Sequence, residues 1–229
     1  MSAAESGSPR TILLPGLGAD SRMFASQRGA VPDLETPNWI AHAPGESFRD
    51  YAARFARTLN VESPVVLAGV SMGGMVALEM ARVVPARCVV LIGSCRGPAA
   101  ASRLLRTAER LSRLTPSILL DKGRIVAPLF LGRGGSLNME HRRLLADMVR
   151  GHAVSFLRWA ARAIIEWEGC EDPGVPVYHI HGDRDWVIPL SRVRPTRIVA
   201  RGIHVLNFSH PAEVNAFLAE CRSKAENHE

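Results

Sequence analysis

Ser71 is framed by glycines at a point where a strand-like stretch meets a helix-like one. In "LAGVSMGG", Gly69 and Gly73 lie two residues before and two residues after the serine. Glycines at these positions remove side chains that would collide across a sharp turn, so the hydroxyl can stand beside the first helical amides. The N–H of Met72 and the helix dipole can then stabilise a negative charge on a substrate oxygen. A tight turn whose serine only caps the helix is the alternative interpretation.

A nucleophilic serine needs a base and an acid, and both types of side chain follow later in the chain. "HIHGDRDWVIP" offers Asp183 and Asp185, and "RGIHVLNFSHP" offers His204 and His210. Histidine activates a serine by accepting its proton, and a carboxylate orients the histidine. The order serine, acid, histidine is the one expected for a serine in this kind of turn.

The elements around these motifs alternate between apolar strand-like blocks and stretches with helical periodicity. This alternation is typical of an α/β protein, in which a doubly wound, mostly parallel sheet carries helices on both faces. Ligands bind such sheets at the carboxyl ends of the strands, where the turn at Ser71 and the two later motifs fall. Strands are predicted at residues 11–14, 36–41, 64–70, 87–94, 175–182 and 195–200, and helices at 47–60, 72–84 and about 211–222.

The alternation stops between about residues 97 and 170, where helical periodicity alone is found. The predicted organisation is therefore one core domain made of residues 1–96 and 171–229, with residues 97–170 as a helical insertion. Some apolar side chains of the insertion could line a site for an acyl group, although helix–helix packing is the alternative for most of them. They are Leu129, Phe130, Leu131, Phe156, Trp159 and Trp167.

The net charge of +6 is concentrated in the insertion, where residues 96–170 carry 13 Arg or Lys against 6 Asp or Glu. Arginines along helices usually form a solvated face, and no nucleic-acid motif or interleaved aromatic pattern accompanies them. We therefore expect no nucleic-acid partner. A surface that attracts anionic substrates is the alternative.

Metal and membrane sites are not expected either. The four cysteines lie far apart without zinc-ligand spacing, so we expect reduced thiols and no metal. No apolar run reaches the roughly 20 residues of a membrane span, and the polar N-terminus lacks the apolar core of a signal peptide. These features favour a cytoplasmic protein without a membrane partner.

Together the motifs resemble the α/β-hydrolase superfamily, in its branch of small cofactor-free esterases, lactonases and thioesterases. The family's acid motif G-x-x-D-x-x-x-P is matched by Gly182, Asp185 and Pro189. Its histidine motif, G-x-H with a proline seven residues on, is matched by Gly202, His204 and Pro211. The glycine loop after the family's first strand is matched by "LLPGLGAD", and the resemblance covers residues 11–96 and 175–222.

The resemblance implies a role for each matched residue. Ser71 resembles the nucleophile, Asp185 the acid and His204 the base, and the backbone N–H groups of Leu17 and Met72 resemble the oxyanion hole. It further implies a serine hydrolase that cleaves an ester, thioester or lactone of a small-molecule acyl substrate through an acyl-enzyme, without cofactor or metal. The insertion at residues 97–170 occupies the place of the family's helical cap or lid.

The chain also departs from the family pattern. Pro15-Gly16 stands where the family usually has His-Gly, the D-x-R-G-x-G motif is missing, and the N-terminal hairpin is not expected. The alternative function is a non-hydrolytic protein of this fold, either a ligand-binding receptor or a lyase or perhydrolase with the same triad. The substrate and the oligomeric state do not follow from the sequence.

Overall fold

A computed structural model describes residues 9–100, 107 and 137–227, which include a six-stranded sheet. The strands run in the order β2-β1-β3-β4-β5-β6. Each neighbouring pair is parallel, so the carboxyl ends of the strands meet at one edge. The strands are β1 (Thr11–Leu14), β2 (Leu34–Glu35), β3 (Val65–Val70), β4 (Ala86–Ile92), β5 (Val177–Gly182) and β6 (Arg197–Val199).

Helices connect the strands, as parallel pairing requires. They are α1 (Ala25–Arg28), α2 (Phe48–Thr58), α3 (Met72–Met80), α4 (Met139–Gly151), α5 (Val154–Glu166), α6 (Leu206–Ser209) and α7 (Pro211–Glu226). Short 3₁₀ turns lie at Ser21–Phe24, Pro98–Ala100 and Leu190–Arg192. The start of α2 shows why these elements form where they do, because Ser47 Oγ accepts the N–H of Asp50 and so satisfies a donor of the first turn.

Both faces of the sheet are buried, and alternate residues of each central strand point to opposite faces. One face packs against α2, α3 and α5, and its strand residues include Ile12, Leu14, Val65, Leu67, Val89 and Leu91. The other face packs against α7 and the segment around α1, and its strand residues include Leu13, Val66, Ala68, Val90, Ile92 and Ile180. Burial of each Val, Leu or Ile side chain among them contributes about 1.5–3 kcal/mol, so the centre of the sheet is a stable base for the loops at its edge.

The doubly wound, mostly parallel α/β fold predicted from the sequence is confirmed. Within residues 9–100, 107 and 137–227 every strand pair is parallel.

The strand predicted at residues 36–41 is wrong. The strand lies earlier, at Leu34 and Glu35, which pair with Thr11 and Ile12 of β1. Pro37 has no N–H to donate to a ladder, and this breaks the strand before the apolar residues that suggested it.

The insertion predicted at residues 97–170 is described in part. Helices α4 and α5 fall within it and have the expected helical structure, whereas Leu129, Phe130 and Leu131 lie outside the described residues. Its role as a cap stays a prediction. Among the described residues no helix is long and apolar enough to cross a bilayer.

Candidate active site

Ser71 occupies a strained turn between β3 and α3. Its backbone has φ 53° and ψ −118°, a conformation that side-chain-bearing residues rarely adopt. The turn is as tight as the sequence pattern predicted, since a Cβ at Gly69 would lie 2.1 Å from the carbonyl carbon of Gly73. A Cβ at Gly73 would in turn lie 2.3 Å from the oxygen of Leu14. Side chains are therefore excluded at both glycines.

The end of β4 supports this turn from the neighbouring strand. The N–H of Ser71 donates to the oxygen of Ile92 over 3.0 Å. The hydroxyl of Ser94 donates to the carbonyl oxygen of Ser71 over 2.6 Å. Sequence reasoning did not identify Ser94, although its position directly after a central strand was a signal that could have done so.

His204 faces the hydroxyl of Ser71. Its Nε2 lies 2.9 Å from Ser71 Oγ, and its Nδ1 lies 2.7 Å from Asp185 Oδ2. An ionised carboxylate can only accept, so Nδ1 carries the proton and Nε2 is left to accept the serine O–H. His204 is buried, with 4% of its surface exposed, whereas Ser71 is partly exposed.

Asp185 is held in place by its own loop, which follows β5. Its Oδ1 accepts the N–H groups of Val187 and Ile188, each over 2.9 Å. Burial raises the pKa of Asp185, but His204 and the hydrogen bond from Ile188 outweigh burial and hold the pKa below its ordinary value. The rival aspartate, Asp183, is exposed to solvent. Of the two, Asp185 is the one that contacts His204.

Two further histidines of β5 lie behind the acid. His181 Nε2 donates to the oxygen of Ile188 over 2.8 Å and lies 3.4 Å from Asp185 Oδ2. Its Nδ1 then accepts from Nε2 of His179 over 3.1 Å. Burial lowers the pKa of both, that of His179 to about 3, so the pair is neutral near pH 7. His181 therefore stabilises the loop that carries Asp185.

The predicted oxyanion donors come from two loops at the same edge. The loop after β1 runs close to the serine, since a Cβ at Gly16 would lie 3.7 Å from Ser71 Cβ. Throughout the part of the chain that the structure describes, neither the N–H of Leu17 nor that of Met72 has a hydrogen-bond partner. Both amides are thus free of hydrogen bonds within the described residues.

The insertion contacts this glycine loop directly. His152, which follows α4, donates from Nε2 to the oxygen of Ala19 over 3.1 Å and stacks on Phe156 with ring centroids 5.7 Å apart. The side chain of Val149 lies against Gly18, where a Cβ would be 3.1 Å from it. His152 is half-buried, and the sequence around it carries no motif that signals this contact.

The remaining aromatic residues suggested as an acyl site pack between helices. Phe156 is 5% exposed and lies against Tyr51, with ring centroids 6.2 Å apart. Trp159 donates its N–H to the oxygen of Glu46, and Trp167 donates to Glu79 Oε1 over 2.7 Å. The alternative interpretation, helix–helix packing, is the one that these contacts favour.

The described residues also contain no group of three or more His, Cys, Asp or Glu side chains that could hold a metal ion. The four cysteines are buried free thiols.

Comparison with known proteins extends the resemblance found in the motifs. The family model described as the alpha/beta hydrolase family matches residues 11–217. The chain belongs to the alpha/beta hydrolase family. Proteins of this fold carry many different activities, so membership fixes the architecture and leaves the reaction to the site.

Solved structures of α/β hydrolases and related proteins share the fold at low sequence identity. A thermophilic esterase from Thermogutta terrifontis has a TM-score of 0.76 and 17% identity, covering 95% of this chain and 90% of its own. The N-acyl homoserine lactonase AidH has a TM-score of 0.74 and 17% identity, covering 99% and 93%. MenH from S. aureus has a TM-score of 0.73 and 16% identity, covering 99% and 97%. No curated protein sequence was found to match the chain.

Proposed function

We propose that the protein is a serine hydrolase that cleaves an ester, thioester or lactone bond of a small-molecule acyl substrate. The observation that carries this proposal is the unbroken line of hydrogen bonds from Ser71 Oγ through His204 to Asp185. In such a line the serine proton has an acceptor, and the acceptor has a fixed orientation and a nearby negative charge.

In the first half-reaction His204 Nε2 takes the proton of Ser71 as the serine oxygen bonds to the substrate carbonyl carbon. The negative charge moves to the carbonyl oxygen, where the N–H groups of Leu17 and Met72 hold it. Asp185 stabilises the imidazolium that has formed. The bond to the leaving group then breaks, and His204 protonates the departing oxygen or sulfur, which leaves an acyl group on Ser71.

In the second half-reaction water replaces the leaving group. His204 Nε2 takes a proton from the water while the water oxygen bonds to the acyl carbon. The same two amides hold the oxyanion. When the bond to Ser71 Oγ breaks, His204 returns the proton to the serine. The products are the free carboxylic acid and an enzyme ready for another turnover.

Support for the acyl class comes from the neighbouring structures. An esterase and a lactonase are among the proteins that share the fold. In the described part of the insertion, Arg150 and Arg162 pair with carboxylates on their own helices, Asp147 and Glu166. These pairs offset the charge of two arginines of the insertion.

The test is a turnover screen with p-nitrophenyl esters of increasing chain length, acyl-CoA thioesters and lactones. The proposal predicts that at least one class is hydrolysed and that Ser71→Ala abolishes this turnover. Hydrolysis that persists in Ser71→Ala would contradict it. Tight ligand binding without product, seen as a thermal shift, would support the alternative of a receptor with this fold.

A further inference from the structure

The carbonyl oxygen of Gly16, in the glycine loop beside Ser71, accepts two hydrogen bonds. One comes from the indole Nε1–H of Trp39 over 3.1 Å. The other comes from the backbone N–H of Ala19, also over 3.1 Å. A carbonyl oxygen has two lone pairs, so these two donors occupy it fully and fix its direction.

The direction of this carbonyl also sets the direction of the next amide. The described chain has no cis peptide bond, and in a trans peptide the C=O and the following N–H lie in one plane and point in opposite directions. The N–H that follows the Gly16 carbonyl belongs to Leu17. Hydrogen bonds that hold the oxygen on one side therefore hold this N–H on the other.

We propose that Trp39 is a positioning residue that orients the Leu17 amide as an oxyanion donor through its hydrogen bond to Gly16. The inference rests on the proposed function, because it concerns the stabilisation of the oxyanion that forms during acyl transfer. Trp39 itself does not touch the substrate. It acts by keeping one peptide plane in a single orientation before the substrate arrives.

The indole packs in an aromatic cluster that fixes the direction of its N–H. Its ring centroid lies 5.5 Å from that of Phe55 and 6.3 Å from that of Tyr51, and both residues are on α2. The same centroid lies 6.4 Å from that of Phe156 on α5, within the insertion. The orientation of the Leu17 amide is thus connected through Trp39 to the packing of both helices.

The experiment compares Trp39→Phe with Tyr51→Phe. Trp39→Phe keeps an aromatic ring and removes the N–H donor to Gly16. Tyr51→Phe is the matched control, since it removes a hydrogen bond of similar length, 3.0 Å, from the same cluster to the oxygen of Ile40. Deletion of an oxyanion donor lowers kcat by roughly 10²–10³-fold, so an amide that is present but no longer oriented should lower it about tenfold.

The expected result is a kcat for ester hydrolysis that falls about tenfold in Trp39→Phe, with KM little changed and Tyr51→Phe close to wild type. The Ki of a boronic acid, which forms a tetrahedral adduct on the serine, should rise in parallel with the loss of kcat. A change that only loosens the fold would lower the active fraction, so rates are normalised by titration of active sites. Benzothienylalanine at position 39 provides a second variant that keeps the bicyclic ring and lacks the N–H.

Equal kcat values and boronate Ki values in Trp39→Phe and Tyr51→Phe would overturn the inference while the proposed function stands. The same holds if benzothienylalanine at position 39 leaves kcat at the wild-type value. A wild-type protein that hydrolyses no ester, thioester or lactone would instead overturn the proposed function, and the inference with it.

Discussion

Asp185→Asn changes which atoms donate and accept hydrogen bonds beside His204. The Oδ1 position receives the N–H groups of Val187 and Ile188, each over 2.9 Å. An asparagine must place its carbonyl oxygen there, because an NH₂ group would face two donors. Its NH₂ group then faces Nδ1 of His204, which has to accept instead of donate.

This exchange inverts the tautomer of His204 and so disables the base. With Nδ1 as acceptor the proton sits on Nε2, which lies 2.9 Å from Ser71 Oγ and can no longer take the serine proton. The same change in a serine protease triad lowers kcat about 10⁴-fold, or about 5.5 kcal/mol in the barrier. We expect a loss of about this size with little change in KM.

The assay is steady-state hydrolysis of the best p-nitrophenyl ester near pH 7, with Asp183→Asn as the control. Asp183 is exposed, and its replacement should leave kcat within about twofold of wild type because its charge is screened by water. A circular dichroism spectrum and a urea unfolding curve check that both variants are folded. An Asp185→Asn enzyme with kcat near wild type, or a larger loss in Asp183→Asn, would refute the reasoning.

Three further predictions concern the glycine turn, the histidines and pH. Gly73→Ala should lower the free energy of unfolding in urea by about 3 kcal/mol or more, because the added methyl meets backbone atoms at 2.3 Å. Gly29→Ala, where no atom lies within 4 Å of the added methyl, should leave it almost unchanged. Equal losses in the two variants would contradict this prediction. His204→Ala should lower kcat about 10⁴-fold or more and His210→Ala should not, and the reverse result would exchange their roles. Burial, helped by His181, lowers the pKa of His179 from 6.5 to about 3, so the unfolded chain binds a proton that the folded protein excludes. The resulting stability is present above about pH 6.5 and is lost as the pH falls. Between about pH 8 and pH 5 the free energy of unfolding of the wild type should therefore fall by about 2 kcal/mol more than that of His179→Gln. If the free energies of unfolding of the two proteins change in parallel with pH, the prediction for His179 is contradicted.

Much of the fold could be predicted because its pattern is local. The buried block Val65–Val70 and the glycines that follow it indicate a central strand and a sharp turn, and the structure has both. The resemblance of the segments around Asp185 and His204 to the family's acid and histidine motifs implied which carboxylate and which imidazole meet, and these two side chains are in contact. These positions depend on motif spacing at the carboxyl ends of parallel strands, which a single sequence can carry.

The contacts that depend on distant parts of the chain could not be predicted. Trp39 was placed in a strand, yet it lies after β2 and donates to Gly16, 23 residues earlier. His152 contacts Ala19, 133 residues away, and nothing in its neighbourhood in the sequence signals that contact. Both contacts exist because helices of the core and of the insertion pack around the glycine loop, and this packing has no periodic signature.

The most direct test of the central claim, that Ser71 is an activated nucleophile, is labelling with a fluorophosphonate. Such a reagent phosphonylates a serine whose proton is taken by a neighbouring base, and ordinary serines react far more slowly. The account predicts one label per protein, mapped by mass spectrometry to the peptide that contains Ser71 and absent in Ser71→Ala. Labelling of another residue, or the same labelling in Ser71→Ala, would contradict it.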